Sequence, residues 1–341
     1  MYKERIAYLD VIRIVACVMV IMMHSPMPDC GAPGFVLTGI SFVTAPSIGL
    51  FFMVSGALLL PTSLSMKEFY KRRLSKIVFP ALIWTFIYLL VKIINGSITI
   101  DQLPSIVLSI PFSAQGNGIL WFMYVLVGLY LITPIISPWL EKTSKKEIEL
   151  ILGLWIVSLL YPILSNVVSV NESYTGILYY FSGYAGYYIL GYYFDHYKPK
   201  VGIIASLLMI LLPIIVCGIS IHLHQEIDLY QYFWYLSIFV VSMACGWYCL
   251  LTKISVRGFR LLTLTSSLSF GVYLSHILFM RSFIWKWCGY LNCGWLFQII
   301  VTVILTFALS FVLALFLSML PFGKYFVGYQ VKRKKFNRLL L

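Results

Sequence analysis

Apolar runs of roughly 18 to 25 residues recur along almost the whole chain. A helix of about that length, rising 1.5 Å per residue, crosses the roughly 30 Å of hydrocarbon in a bilayer. Within hydrocarbon, backbone groups must be satisfied internally, and the runs are too long for barrel strands. Ten runs are read, near 7–24, 36–60, 77–95, 119–137, 148–165, 175–194, 201–221, 230–252, 267–285 and 295–320. They predict an all-α, polytopic membrane protein. The longest remaining stretch, about 96–118, leaves no room for a soluble domain, so 1–341 is read as one integral membrane domain with a basic tail at about 322–341. Composition agrees, since 61% hydrophobic and 11% charged residues cannot coat a soluble globule. No small-residue cleavage site follows the first run, which is therefore expected to stay as a span.

The net charge of +13 is unevenly placed. With the N-terminus inside, the inner segments 1–6, 61–76, 138–147, 195–200, 253–262 and 321–341 hold nearly all the lysine and arginine. The outer loops hold mainly Asp29, Asp101, Glu172, Glu226 and Asp228, with Lys286 the basic exception. Positively charged short loops stay cytoplasmic, so both termini are expected there. The charge is thus a topology signal, and nucleic acid is not an expected partner. "VKRKKFNR" near the C-terminus reads as a contact for anionic membrane lipids.

Seven cysteines are scattered among the spans without a CxxC pair, so no zinc or redox centre is expected. Cys30, Cys288 and Cys293 fall near the outer face, where an oxidising environment could pair two of them. "HLHQEID" sets His222, His224, Glu226 and Asp228 at alternate positions, but a solvated polar loop is the simpler reading than a metal site.

The first span, "LDVIRIVACVMVIMMHS", carries an aspartate, an arginine and a histidine. At about 100° per residue, the step from Arg13 to His24 is three turns plus about 20°, so the two share a helix face. Asp10 and Cys17 fall on the same stripe. Arg13 and His24 lie about 16 Å apart along the axis, roughly half the hydrocarbon thickness. One reading is local: Asp10 and Arg13 neutralise each other near the inner headgroups while His24 ends the helix. The other is a cavity, because polar groups aligned on one face must meet protein or water rather than lipid. There His24 has the chemistry of a general base, and Arg13 that of a phosphate ligand.

Three further stretches add to this pattern. "FFMVSGALLL" places Ser55 beside Gly56 in the second span, where small residues let a backbone or ligand come close. "FYKRRLSKIVFP" gathers Lys71, Arg72, Arg73 and Lys76 in a basic inner loop, readable either as a phosphate site or as a topology anchor. "SFGVYLSHILF" buries His276 midway along the ninth span with Tyr273 three residues earlier; hydrogen bonding within the bundle and catalysis are both open to it.

At these residues the chain resembles the acyltransferase 3 family of membrane O-acyltransferases. Arg13 and His24 match that family's arginine-to-histidine signature, "FFMVSGALLL" its second-span motif and "FYKRRLSKIVFP" its basic inner loop ending in proline. "LWFMYVLVGLYLITPII", which includes Trp121, "FSGYAGYYILGYYF" and "SFGVYLSHILF" are similar to further family stretches. Together they run from about residue 5 to about 320. Lys76 departs from the pattern, standing where many relatives carry a second arginine after Arg73; lysine keeps the charge and loses the bidentate fork.

The resemblance implies transfer of an acyl group, usually acetyl, from cytoplasmic acyl-coenzyme A to a hydroxyl of a surface glycan or its lipid-linked precursor, at a bacterial cell membrane. It makes His24 the candidate catalytic base; Asp10, three residues before Arg13, is read as a second catalytic candidate that acts by orienting that arginine. It makes Arg13, Arg72, Arg73 and Lys76 donor contacts, and Ser55, Trp121, Tyr273 and His276 supporting residues. Acyl-coenzyme A is then a co-substrate, with no permanently bound cofactor and no metal. A transporter or flippase of glycan precursors is the alternative, and a sensory domain that has lost the reaction a third.

Overall fold

A computed structural model describes residues 6–28, 30–114, 118, 120–167, 181–223, 233–254, 259–290 and 294–331. Among these every regular element is helical. In chain order they are α1 (Ala7–His24), α2 (Gly34–Thr44), α3 (Pro46–Leu59), α4 (Met66–Phe69), a π-helical turn (Tyr70–Leu74), α5 (Ser75–Ile94), a short 3₁₀ turn (Ile100–Gln102) and α6 (Leu103–Ser109). There follow α7 (Trp121–Lys142), α8 (Lys145–Ser158), α9 (Tyr161–Val167), α10 (Ala185–Tyr197), α11 (Ile203–Leu223), α12 (Ile238–Thr252) and α13 (Arg260–Phe279). A second π-helical turn (Met280–Ile284), α14 (Trp285–Gly289), α15 (Trp295–Met319) and α16 (Lys324–Val327) complete the series.

Eight helical stretches among the described residues are long and apolar enough to span a bilayer. The chain is a polytopic, all-α membrane protein. The other two expected spans, near 175–194 and 230–252, coincide with the shorter helices α10 and α12. Residues 168–180 and 224–232, where those two spans were expected to begin or be preceded, lie outside the described set.

Two boundaries need correction. The expected inner loop 61–76 is mostly helical from Met66 onward, with Ser65 accepting from the Glu68 N–H as an N-cap, so Arg72, Arg73 and Lys76 are carried on a helix. The expected second span is two helices that meet at Ala45. Pro46 has no N–H to give to the Phe42 carbonyl, and the Ala45 N–H occupies that acceptor at 3.2 Å, tightening the turn where the sequence reads "TAPS".

By their contacts the residues form two compact units, Met1–Ser63 with Ile135–Thr263, and Leu64–Pro134 with Leu264–Leu341. In the first, α3 lies against α1, α10 and α12, while α11 packs on α12. The α3–α10 contact is backbone on backbone, because a Cβ on Gly191 would sit 1.9 Å from the Met53 carbonyl oxygen. Gly56 meets α10 in the same way, a Cβ there falling 1.8 Å from the Tyr188 carbonyl oxygen, so this small residue does bring a neighbouring backbone close.

In the second unit the C-terminal segment folds back. Helix α16 packs on α5, the Trp84 indole donates to the Phe326 carbonyl at 3.0 Å, and the Val331 N–H donates to Ser318 at 3.0 Å. Residues 324–331 are thus a docked element, and the basic run beyond them lies outside the described residues.

Candidate functional site

In the first unit α1 runs unbroken from Ala7 to His24, so Asp10, Arg13, Cys17 and His24 keep the stripe that their spacing predicts. Asp10 and Cys17 are buried, and Arg13 and His24 are half-buried. The helix packs against α2, α3 and α12, so its polar stripe belongs to a helix enclosed by protein on several sides. Ser55 is half-buried on α3, one of those neighbours.

Around the C-terminal end of α1 the wall is aromatic. The Tyr235 hydroxyl donates to the Met23 sulfur at 3.3 Å, next to His24, and the Tyr187 hydroxyl donates to the Tyr235 carbonyl at 2.7 Å. Trp155 meets Tyr187 edge to face with ring centroids 5.2 Å apart, and its indole donates to Gly183 at 2.8 Å. These rings are buried and their polar tips engaged, so they exclude water around this end of α1. Tyr187 and Tyr235 were not among the sequence candidates. In a chain with 24 tyrosines no single one stands out.

At the opposite end of α1 the Tyr8 hydroxyl donates to the buried Asp195 carboxylate at 2.7 Å. Asp195 also escaped the sequence reading. It stands at the end of "GYYILGYYFDHY", in the segment 195–200 read as an inner loop, where a charged residue gives no signal of its own.

In the second unit the basic group is exposed. Lys71, Arg72 and Arg73 stand on the π-helical turn Tyr70–Leu74, and Lys76 follows one turn later. A π-helical turn widens the backbone and rotates successive side chains away from ordinary helical register, a device found often at functional sites. Here Arg72 pairs with Glu68 at 2.5 Å. Lys324, on the docked C-terminal segment, comes near enough to Lys76 for its charge to act there together with Arg73. Glu68 and Lys324 are therefore members of this group that the motif alone did not supply.

Also in this unit, Phe122, next to Trp121 at the start of α7, packs on Tyr273 with ring centroids 5.4 Å apart. His276 is fully buried, and its Nδ1 meets the Tyr273 carbonyl one turn earlier. A carbonyl can only accept, so Nδ1 is the donor in this contact. The Tyr88 hydroxyl donates to the Leu274 carbonyl at 2.8 Å, tying α5 to the same stretch of α13. The Tyr273 contact lies within the histidine's own helix.

Of the cysteines expected near the outer face, Cys30 and Cys288 are free thiols and Cys293 lies outside the described residues. Of "HLHQEID", only His222 and Leu223 are described, and His222 is exposed at the end of α11. Among the described residues no group of three His, Cys, Asp or Glu side chains is placed to hold a metal ion.

A family model described as an acyltransferase domain matches residues 6–320. No curated protein matches the chain. No solved structure does either.

Proposed function

The chain belongs to the acyltransferase 3 family, a family of membrane acyltransferases, and from that premise we propose that it moves an acyl group, acetyl in the first instance, from cytoplasmic acyl-coenzyme A to a hydroxyl of an exported polysaccharide or its lipid-linked precursor. The setting is a bacterial cell membrane with both termini cytoplasmic. The observation that carries the reading is the uninterrupted helix α1, which holds Arg13 and His24 three turns apart on one face.

The chemistry follows from the side chains. A neutral His24 takes the proton of the acceptor hydroxyl, the oxygen attacks the thioester carbonyl carbon, the carbon–sulfur bond breaks, and the thiolate leaves and is reprotonated. Attack by His24 itself, giving a transient acyl-imidazole, would use the same residue. Arg72, Arg73 and Lys76 form a basic group within the second unit that suits the donor's phosphates, and Arg13 is a candidate donor contact carried by α1 in the first. Asp10, three residues before Arg13 on the same face, orients its guanidinium.

Mass spectrometry of surface glycans from cells with and without the protein tests this reading. Loss of an acetyl-sized increment on one glycan is the expected result. Unchanged acylation with altered glycan amount would assign the protein to transport.

A further inference from the structure

At the end of the first unit that is rich in lysine, the termini of α1, α10, α11 and α12 leave a cavity of about 520 Å³. That is within the range of about 300–1,000 Å³ typical of small-molecule sites. Its wall holds Lys198, Lys200 and Lys253 together with the rings of Tyr8 and Tyr248. None of these residues has a part in the acyl transfer proposed above.

Two features of this cavity suit an anion. Lys198 has a left-handed backbone, with φ at 45°, and its N–H closes α10 on the Phe194 carbonyl at 3.1 Å. A side-chain-bearing residue rarely adopts that conformation, and here it turns the chain so that Lys198 and Lys200 both line the cavity with Pro199 between them. Lys253 approaches from α12 and donates to the Val201 carbonyl, leaving two of its three protons for another acceptor.

The second feature is the start of α11, a helix of 21 residues. Its first intrahelical bond runs from the Ser206 N–H to the Gly202 carbonyl at 3.0 Å. The N–H groups of the preceding turn have no acceptor within the helix, no acidic side chain stands in that turn, and Gly202 itself lines the cavity.

We propose that this cavity binds a phosphate group on the cytoplasmic side, the tyrosine and phenylalanine rings of its wall covering the apolar part of the molecule that bears it. The phosphate can come from the headgroup of an anionic lipid or from a soluble phosphate compound, and both satisfy the same lysines and helix terminus.

The test uses the full chain, delipidated in detergent. Native mass spectrometry would follow added phosphatidylglycerol against phosphatidylcholine, and calorimetry would follow inorganic pyrophosphate. The variant is Lys198→Gln, Lys200→Gln, Lys253→Gln. A control with equal charge loss is Lys142→Gln, Lys146→Gln, Lys286→Gln, three exposed lysines outside the cavity. Because Lys253 also braces Val201, the double variant Lys198→Gln, Lys200→Gln is measured alongside, with thermal unfolding to check that each is folded. Loss of three charge-assisted contacts predicts a dissociation constant about tenfold or more weaker in the cavity variants and unchanged in the control. Weakened phosphatidylglycerol binding alone makes the source a lipid; weakened pyrophosphate binding makes it soluble. If neither ligand is weakened, or if the control loses as much as the cavity variants, the proposal is wrong. Acyl transfer does not enter the readout, so the outcome is independent of the proposed reaction.

Discussion

Gly56 and Tyr188 meet backbone to backbone: a Cβ on Gly56 would fall 1.8 Å from the Tyr188 carbonyl oxygen. The atom it would strike belongs to a helix backbone and has no rotamer to escape into. Gly56→Ala therefore has to separate α3 from α10, the helices that set Ser55 beside α1. Overpacking of this kind costs about 1–3 kcal/mol or more, and a thermal-unfolding assay in detergent should show a clear loss of stability. Gly39→Ala, where nothing lies within 4 Å of the added atom, should leave the transition unchanged.

The Tyr8–Asp195 bond makes a second prediction. Asp195 is buried, so Tyr8→Phe removes a donor from a carboxylate that water reaches poorly, a loss of about 1–3 kcal/mol. Asp195→Asn in the same background should recover part of that loss, because a neutral amide has less need of the donor. Additive losses in the double variant would show that the two residues are not coupled.

The Arg72–Glu68 pair is exposed at both ends and separated by one helical turn. Such pairs contribute about 0–1 kcal/mol, so Glu68→Gln should leave stability unchanged while releasing Arg72 for a phosphate. Calorimetry with acyl-coenzyme A should then find equal or tighter binding in Glu68→Gln. The pair of changes Arg72→Ala and Arg73→Ala should weaken binding, more so at low than at high salt. Unaltered binding in that double variant would assign the cluster to topology.

His276 presents the opposite case to His24. It is fully buried with Nδ1 engaged by a backbone carbonyl, so His276→Ala should lower thermal stability by about 2–4 kcal/mol through cavity and lost hydrogen bond together. Folded His276→Gln, which keeps a donor, should retain acyl transfer; its complete loss in a stable protein would move His276 into the chemistry.

Much of this organisation was legible in the chain because hydrocarbon imposes a simple rule on sequence. The first span was read to its ends, Ala7 and His24, since its apolar run is flanked closely by polar residues and its stripe follows from helical spacing alone. The bend at Ala45 was written in Pro46, but a hydropathy reading passes over one proline. The helical start at Met66 was hidden because a charged run reads as loop by composition, whereas Ser65 and the following helix formers specify an N-terminus. No pattern announces a π-helical turn, so the widened register at Tyr70–Leu74 was out of reach. Lys324 joins Lys76 only because the C-terminal segment folds back on α5, a contact between residues far apart in the chain. Likewise Tyr8 and Asp195 meet across 187 positions.

The central claim is that His24, at the end of the α1 stripe, performs the proton transfer. It is tested most directly by measuring acyl-coenzyme A-dependent glycan acylation in membranes containing equal amounts of wild-type and His24→Ala protein, with thermal unfolding as the check on folding. A general base contributes about 10²–10⁴-fold to rate, so the variant should fold and insert normally while acylation falls by at least that order. Acylation at the wild-type level in folded His24→Ala would contradict the account.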